Sequence, residues 1–331
     1  FKGPFGKFLA AFFSIAIILA LGFMGNMVQS NSIAEACHNA FGVPNWVVGV
    51  IIASVCAFIF IGGVQRIASV SEKIVPVMAT LYLLGGFVIL IARIRYIPET
   101  FGMIFKYAFV PNALIGGSIG YALKTAISQG VKRGLFSNEA GMGSAPNVAA
   151  TAHVSHPVKQ GLIQALGVFT DTLLICTCTA FIILFGGVPD ASLNGIQLTQ
   201  AALVSEVGPL GGVFVAVAIF LFAFSSIIGN YYYGEANIRF ITRRRGVLTA
   251  YRLLVGGMVL FGSLAALDLA WSLADVTMAL MTLCNLVAIV LLGRQALWLL
   301  ADYRAQRRQG IRSPVYTRDR IPALRDKAEC W

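Results

Sequence analysis

Eight long apolar runs, near residues 8–30, 46–64, 74–93, 113–133, 160–187, 210–234, 248–267 and 271–293, alternate with short polar joints along the chain. Each is close to the ~20 residues that an α-helix needs to cross a bilayer. The pattern predicts an all-α integral membrane protein with eight spans. Between the third and fourth runs, the stretch from Pro98 to Pro111 is amphipathic, the pattern of a helix lying along a membrane surface. The opening Phe1-Lys2-Gly3-Pro4 shows neither an initiator Met nor a cleavable signal pattern, and the first apolar run is too long for a signal h-region. A chain truncated at its N-terminus is expected, with a helical bundle over 1–300 and a basic cytoplasmic tail over 301–331.

Composition agrees with this reading and changes how the charge is understood. Of 331 residues, 58% are hydrophobic and 12% charged, with a mean hydropathy of +0.80, against about 25% charged in soluble domains. A net charge of +11 would suggest nucleic acid in a soluble protein, but here the Lys/Arg bias of cytoplasmic loops accounts for it. With both ends of the chain placed in the cytoplasm, 21 of the 25 Lys and Arg fall on inner segments. The exceptions are Arg93, Arg95 and Lys106 around the amphipathic stretch, and Lys124 within the fourth run. The outer loops expected at 31–45, 188–209 and 268–270 carry none. The six Cys are scattered without the spacing of a disulfide framework or a zinc site and read as small packing residues.

Chemistry is sought where polar residues interrupt apolar helices, because unsatisfied polar groups are costly in hydrocarbon. The first run ends on Gly22, Gly25, Asn26, Gln29 and Asn31, of which 22, 25, 26 and 29 share a helical face; close helix packing or a lined cavity both fit. From Gly130 to Pro146, four Gly and a Pro stand beside Ser137, Asn138 and Glu139, so the backbone there must be broken. Either it exposes half-helix dipoles to a ligand, or it is a cytoplasmic loop, as Lys132 and Arg133 would favour. In the fifth run Asp171 falls near mid-span among Thr170, Thr172, Thr177 and Thr179 and needs a partner or a proton. Ser225 and Ser226 offer hard oxygens to sodium in the sixth run, although bonding to their own helix carbonyl is the commoner fate.

His153 and His156 form an H-x-x-H spacing without a thiolate or carboxylate beside it and read as loop residues. Neither a P-loop nor a complete dinucleotide fingerprint is present, nor a hydrolytic triad or metalloprotease motif. The expectation is therefore no enzyme, no cofactor and no nucleic-acid partner.

The run Gly134-Leu-Phe-Ser-Asn-Glu-Ala-Gly-Met-Gly-Ser-Ala-Pro146, followed by His156-Pro157-Val-Lys-Gln-Gly161 and Asp171-Thr-Leu-Leu-Ile-Cys-Thr-Cys-Thr179, closely resembles the signature of the sodium:alanine (alanine or glycine:cation) symporter family. Gly25-Asn26-Met-Val-Gln29-Ser-Asn31 and the Tyr-Tyr-Tyr-Gly-Glu run ending at Glu235 are similar to further family segments. The resemblance implies a LeuT-like bundle of two five-helix inverted repeats, with the eight runs here as core helices three to ten. It implies sodium-coupled uptake of a small neutral amino acid across a bacterial inner membrane; a cation channel, or a carrier of a larger amino acid such as glutamine, is the alternative. By the same resemblance Gly25, Asn26, Gln29, Phe136, Ser137, Asn138 and Asn230 would face the substrate, and Ser225, Ser226 and Phe222 would hold sodium. Many family members carry Trp where this chain has Asn230, at the pocket wall.

Overall fold

The computed structural model describes residues 3–109, 119–185 and 193–324, with side chains omitted at 64 and over 107–126. The expectations for Lys2, Pro111, the side chain of Lys124, the start of the fourth run and the end of the tail fall outside the described residues. All regular structure in the described chain is helical. α1 spans Pro4–Phe41, α2 Asn45–Ile61, α3 Gly63–Ala92, α4 Ile97–Phe109 and α5 Ile119–Asn138. A short α6, Ala145–Ala149, precedes α7, Pro157–Phe185, and α8, Ile196–Val207. The long α9, Pro209–Ile241, is followed by α10, Arg245–Leu264, and α11, Leu267–Arg308.

Six described helices, α1, α3, α7, α9, α10 and α11, are long and apolar enough to cross a membrane. The second run forms α2, apolar but 17 residues long. The fourth forms α5, whose polar second half carries Lys132 and Arg133. The joints between runs are more helical than their polarity suggested. The expected loop at 31–45 is mostly the end of α1, the loop at 188–209 contains α8, and the last helix continues to Arg308, past the expected tail boundary at 301. Polar residues lie in these turns because they bond between helices instead of facing water. Asn39 donates to Gln200 (3.1 Å), Gln197 to Glu35 (2.6 Å), and Gln200 to the carbonyl of Ala36 (3.0 Å), fastening α8 to the end of α1. Arg93, an exception to the charge bias, pairs with Glu206 of α8 at 2.6 Å.

α9 lies at the centre. One apolar cluster joins it to α1, α2 and α10 through Ile33, Ile52, Phe60, Ile227, Tyr231 and Val255. A second joins the first half of α1 to α11 through Ile17, Leu21, Met27, Ala274 and Met281. A third packs α3, α7, α8 and α9 around Ile89, Ile182, Leu203 and Val215. Small residues let the backbones approach: a Cβ on Gly262 of α10 would lie 2.5 Å from the Met27 carbonyl of α1. Asn31 then reaches across to the carbonyls of Gly262 (3.0 Å) and Ala265 (2.7 Å), satisfying the open end of α10. Cys56, Cys178 and Cys284 are buried free thiols, in keeping with a packing role.

Two of the long helices are locally wound more loosely, as π-helix, over Ile18–Gly25 in α1 and Asp171–Cys176 in α7. At the other extreme of order, the tail folds back on the bundle. The Tyr316 N–H donates to the Ser155 carbonyl (2.9 Å), Ser155 Oγ to the Pro314 carbonyl (3.0 Å), and Lys159 Nζ to Ser313 Oγ (2.7 Å). Gln306 exchanges two bonds with Val315 (2.9 and 3.0 Å), while Arg320 holds Asp302 (3.0 Å). His156 is fully buried beneath them. Its Nδ1 accepts from the Val158 N–H (3.2 Å), so the neutral ring carries its proton on Nε2, which faces Asp302 at 3.3 Å.

Candidate substrate and sodium site

The expected break is present, but it begins later than the glycines suggested. Gly130 and Gly134 lie within α5, which runs to Asn138. There the chain turns through three left-handed residues, Glu139 (φ 49°), Gly141 (φ 74°) and Gly143 (φ 91°). A non-glycine residue at positive φ is uncommon and costs energy that the surroundings must supply. Here the Glu139 carboxylate accepts from the hydroxyls of Ser144 and of Tyr233 (3.3 Å, from α9). Asn285 of α11 donates to the freed Gly141 carbonyl (2.8 Å). At Gly143 a Cβ would press on Phe13 and Asn285, so glycine is needed for both its conformation and its size.

This turn closes one wall of a cavity of about 200 Å³. Gly25 and Gln29 of α1 form a second wall, and Ser226 and Asn230 of α9 a third. Phe136 and Ser137 come from the last turn of α5 and Glu139 and Met142 from the break, with Leu21 and Met278 as apolar lining. The cavity is below the roughly 300–1,000 Å³ of sites for drug-sized ligands, a size suited to a solute of few heavy atoms. Neither the Gln29 nor the Asn230 amide has a hydrogen-bond partner among the described residues. Gly25 lies so close beneath Asn230 that a Cβ there would approach its amide nitrogen to 2.9 Å.

The structure thus brings together Gly25, Gln29, Phe136, Ser137, Asn230 and Ser226. It does not bring in the others. Asn26 is buried behind the wall, its amide turned back to the Gly22 carbonyl (2.8 Å). Asn138 donates to the Gly134 carbonyl (3.0 Å) and accepts from Thr172 (3.0 Å). It lines a neighbouring hollow of about 350 Å³, which shares Ser137 and Glu139 with the first. Ser225 points at Met78 of α3 (3.5 Å to Sδ), and both Ser225 and Ser226 donate to the Phe222 carbonyl (2.8 and 3.0 Å).

Asp171 finds its partner in Ser137, whose hydroxyl donates to it at 2.6 Å. Lys132 and Arg133 face Asp275 of α11, each at 3.7 Å, and the Arg133 guanidinium stacks 3.9 Å over Trp271. Glu139 is the residue whose place the sequence did not disclose. It stood within the quoted motif, but the contact with Tyr233, 94 residues away, leaves no local signal.

Apolar helices around a small polar cavity, one wall of which is a helix break, form the architecture of a membrane carrier. The sequence pattern of the sodium:alanine symporter family fits residues 2–318, and the chain belongs to that family. It is 48% identical to the amino-acid carrier protein AlsT of Bacillus subtilis over 330 residues, covering all of this chain and 70% of that protein. It is 46% identical to the probable sodium/glutamine symporter GlnT of the same organism, across 68% of that protein. Against the sodium/alanine symporter AgcS of Methanococcus maripaludis the identity is 39%, over 87% of this chain and 63% of that protein.

Proposed function

We propose that the protein is a secondary active symporter that couples sodium entry to uptake of a small neutral amino acid, alanine or glycine, by alternating access. The observation that carries this reading is the cavity of about 200 Å³ with two amides, Gln29 and Asn230, unpartnered among the described residues and facing the end of α5 and the break at Ser137–Glu139. Amide N–H groups suit a substrate carboxylate, and Glu139 with the carbonyls freed at the break suits an ammonium group. Ser226 brings a hydroxyl to the same space, and with Ser225 and the Phe222 carbonyl it forms the sodium site of this proposal. Gly25, Phe136 and Ser137 complete the substrate wall; Asn26 and Asn138 act from behind it. The scaffold is a LeuT-like inverted repeat, of which this chain supplies core helices three to ten. It sits in a bacterial inner membrane with the Lys/Arg-rich ends in the cytoplasm.

Sodium running down its gradient stabilises the substrate-bound outward-facing arrangement, and the bundle then rocks to release both solutes inside. The coupling is reciprocal: sodium tightens amino-acid binding by the factor by which the amino acid tightens sodium binding. Glutamine is the second reading, favoured by Asn230, an amide at the pocket wall, and by the similarity to GlnT. Uptake of labelled alanine into proteoliposomes under an inward sodium gradient, with glycine and glutamine as competitors, tests the proposal. Accumulation above equilibrium that collapses with the sodium gradient and is displaced by glycine before glutamine is the expected result. Sodium-independent flux rejects the symport.

A further inference from the structure

A further hollow lies at the charge-rich C-terminal end of α9. The turn from α9 to α10 encloses about 630 Å³ lined by Arg239, Arg243, Arg244, Arg245 and Arg252, with Thr242, Leu248 and Thr249. Two of the five cations are spoken for. Arg239 holds the buried carboxylate of Glu235 through two nitrogens (2.9 and 2.6 Å), and Arg252 approaches it at 3.7 Å while donating to the Tyr231 hydroxyl at 3.0 Å. The side chains of Arg243, Arg244 and Arg245 have no acidic partner among the described residues. The α10 N-terminus opens here as well, without a side-chain cap, so its first backbone N–H groups add donors beside the three guanidinium groups. Outside the cleft the chain is apolar and exposed: Phe240 and Ile241 stand on one flank, Val247 and Leu254 on the other.

We propose that this cleft binds the headgroup of an anionic phospholipid, the phosphodiester held by Arg243–Arg245 and the acyl chains laid along Phe240, Ile241, Val247 and Leu254. Guanidinium forks match phosphate oxygens in pairs, and basic pockets at the ends of membrane helices are suited to anionic headgroups. The orienting bias of Lys and Arg in cytoplasmic loops explains positive charge here but requires neither a cleft nor an apolar collar. A free phosphate would use the cations and leave the collar without a role.

Binding of short-chain phosphatidylglycerol to the purified full-length protein, followed by native mass spectrometry or tryptophan fluorescence, tests the site. Replacement of Arg243, Arg244 and Arg245 by Gln is expected to weaken binding about tenfold or more, without loss of folding because all three are exposed. The same three changed to Lys keep the orienting charge and should still bind several-fold more weakly than the parent, since ammonium groups lack the fork. A control triple, Arg304→Gln, Arg308→Gln and Arg312→Gln, should bind as the parent does. Equal weakening by the control triple, undiminished binding by the Lys triple, or equally tight binding of phosphatidylcholine overturns the site. Displacement of the lipid by inorganic phosphate at equal concentration overturns the lipid assignment in favour of a free anion.

Discussion

Ser225 and Ser226 sit in the unbroken α9 and both donate to the carbonyl of Phe222, whereas the polar side chains of the break bond across the bundle. Ser137 reaches Asp171 in α7, Ser144 and the Tyr233 hydroxyl of α9 converge on Glu139, and Asn285 of α11 closes the Gly141 carbonyl. A hydroxyl satisfied by its own helix can offer its lone pairs to an ion without disturbing any neighbour. A side chain in the break cannot change without releasing a group on another element. Substitutions in the break therefore act on fold and binding together, and those that remove the Ser225 or Ser226 hydroxyl act on the ligand alone.

The largest expected effect is at Glu139. Glu139→Ala leaves the Ser144 and Tyr233 hydroxyls without an acceptor, at about 1–3 kcal/mol for each orphaned group. Transport should be lost and the thermal midpoint in detergent should fall. Glu139→Gln keeps an acceptor oxygen and should recover most of the stability without the charge. An unchanged midpoint in Glu139→Ala would erase the distinction between the two regions.

Gln29→Ala comes next. Gln29 has no hydrogen-bond partner among the described residues, so stability should hold while alanine or glycine affinity falls by about 1–3 kcal/mol, roughly five- to 150-fold. Wild-type affinity in equilibrium binding would remove Gln29 from the substrate site. In α9, Ser226→Ala should raise the sodium concentration for half-maximal uptake a few-fold. Ser225→Ala should raise it less, because that hydroxyl is turned toward Met78 and not toward the cavity. The reverse order would place the ion on the α3 side of the helix.

The smallest effect concerns the far side of the break, where His156 lies under the tail. Burial holds the His156 pKa below the usual 6.5, outweighing the favourable neighbour Asp302, with Arg320 and Lys159 opposing its charge as well. The ring is also packed edge-on against Tyr303 and Tyr316. The His156 ring, uncovered when the tail detaches, thus takes up a proton first. The clasp keeps its full strength above pH 6.5 and loses it as the pH falls through that value toward the lower pKa of the buried ring. Trypsin cleavage around Arg318 and Arg320 should accelerate between pH 7.5 and pH 5.5, and His156→Gln should flatten that dependence. Equal acceleration in His156→Gln would assign the effect to another group.

The apolar runs and the Gly/Pro-rich break were legible because both are local: hydropathy sets helices and glycine sets turns. The convergence of Gln29, Ser137 and Asn230 was legible only through resemblance to a family, since no residue in one helix reports its neighbour in another. Helix ends were misplaced because Asn39, Gln197 and Gln200 read as loop residues, yet their amides are satisfied between helices. Asn26 turns its amide back to Gly22, away from the cavity that Gln29 lines, and nothing in its own helix marks this. His156 read as a loop residue for the same reason, its partner Asp302 lying 146 positions away.

The clasp between Ser155 and Tyr316 also imposes an order on how the protein is made. Residues 313–316 leave the ribosome after every described α-helix, so the segment that follows the break is anchored only once those helices have been made. A chain stopped short of Ser313 has all the described helices but leaves Ser155, Lys159 and the His156 ring uncovered. The clasp in this way marks a chain whose described α-helices have all been made, and a nonsense mutation in the last few codons before Tyr316 would expose a buried ring, and the segment beside it, to cellular proteases.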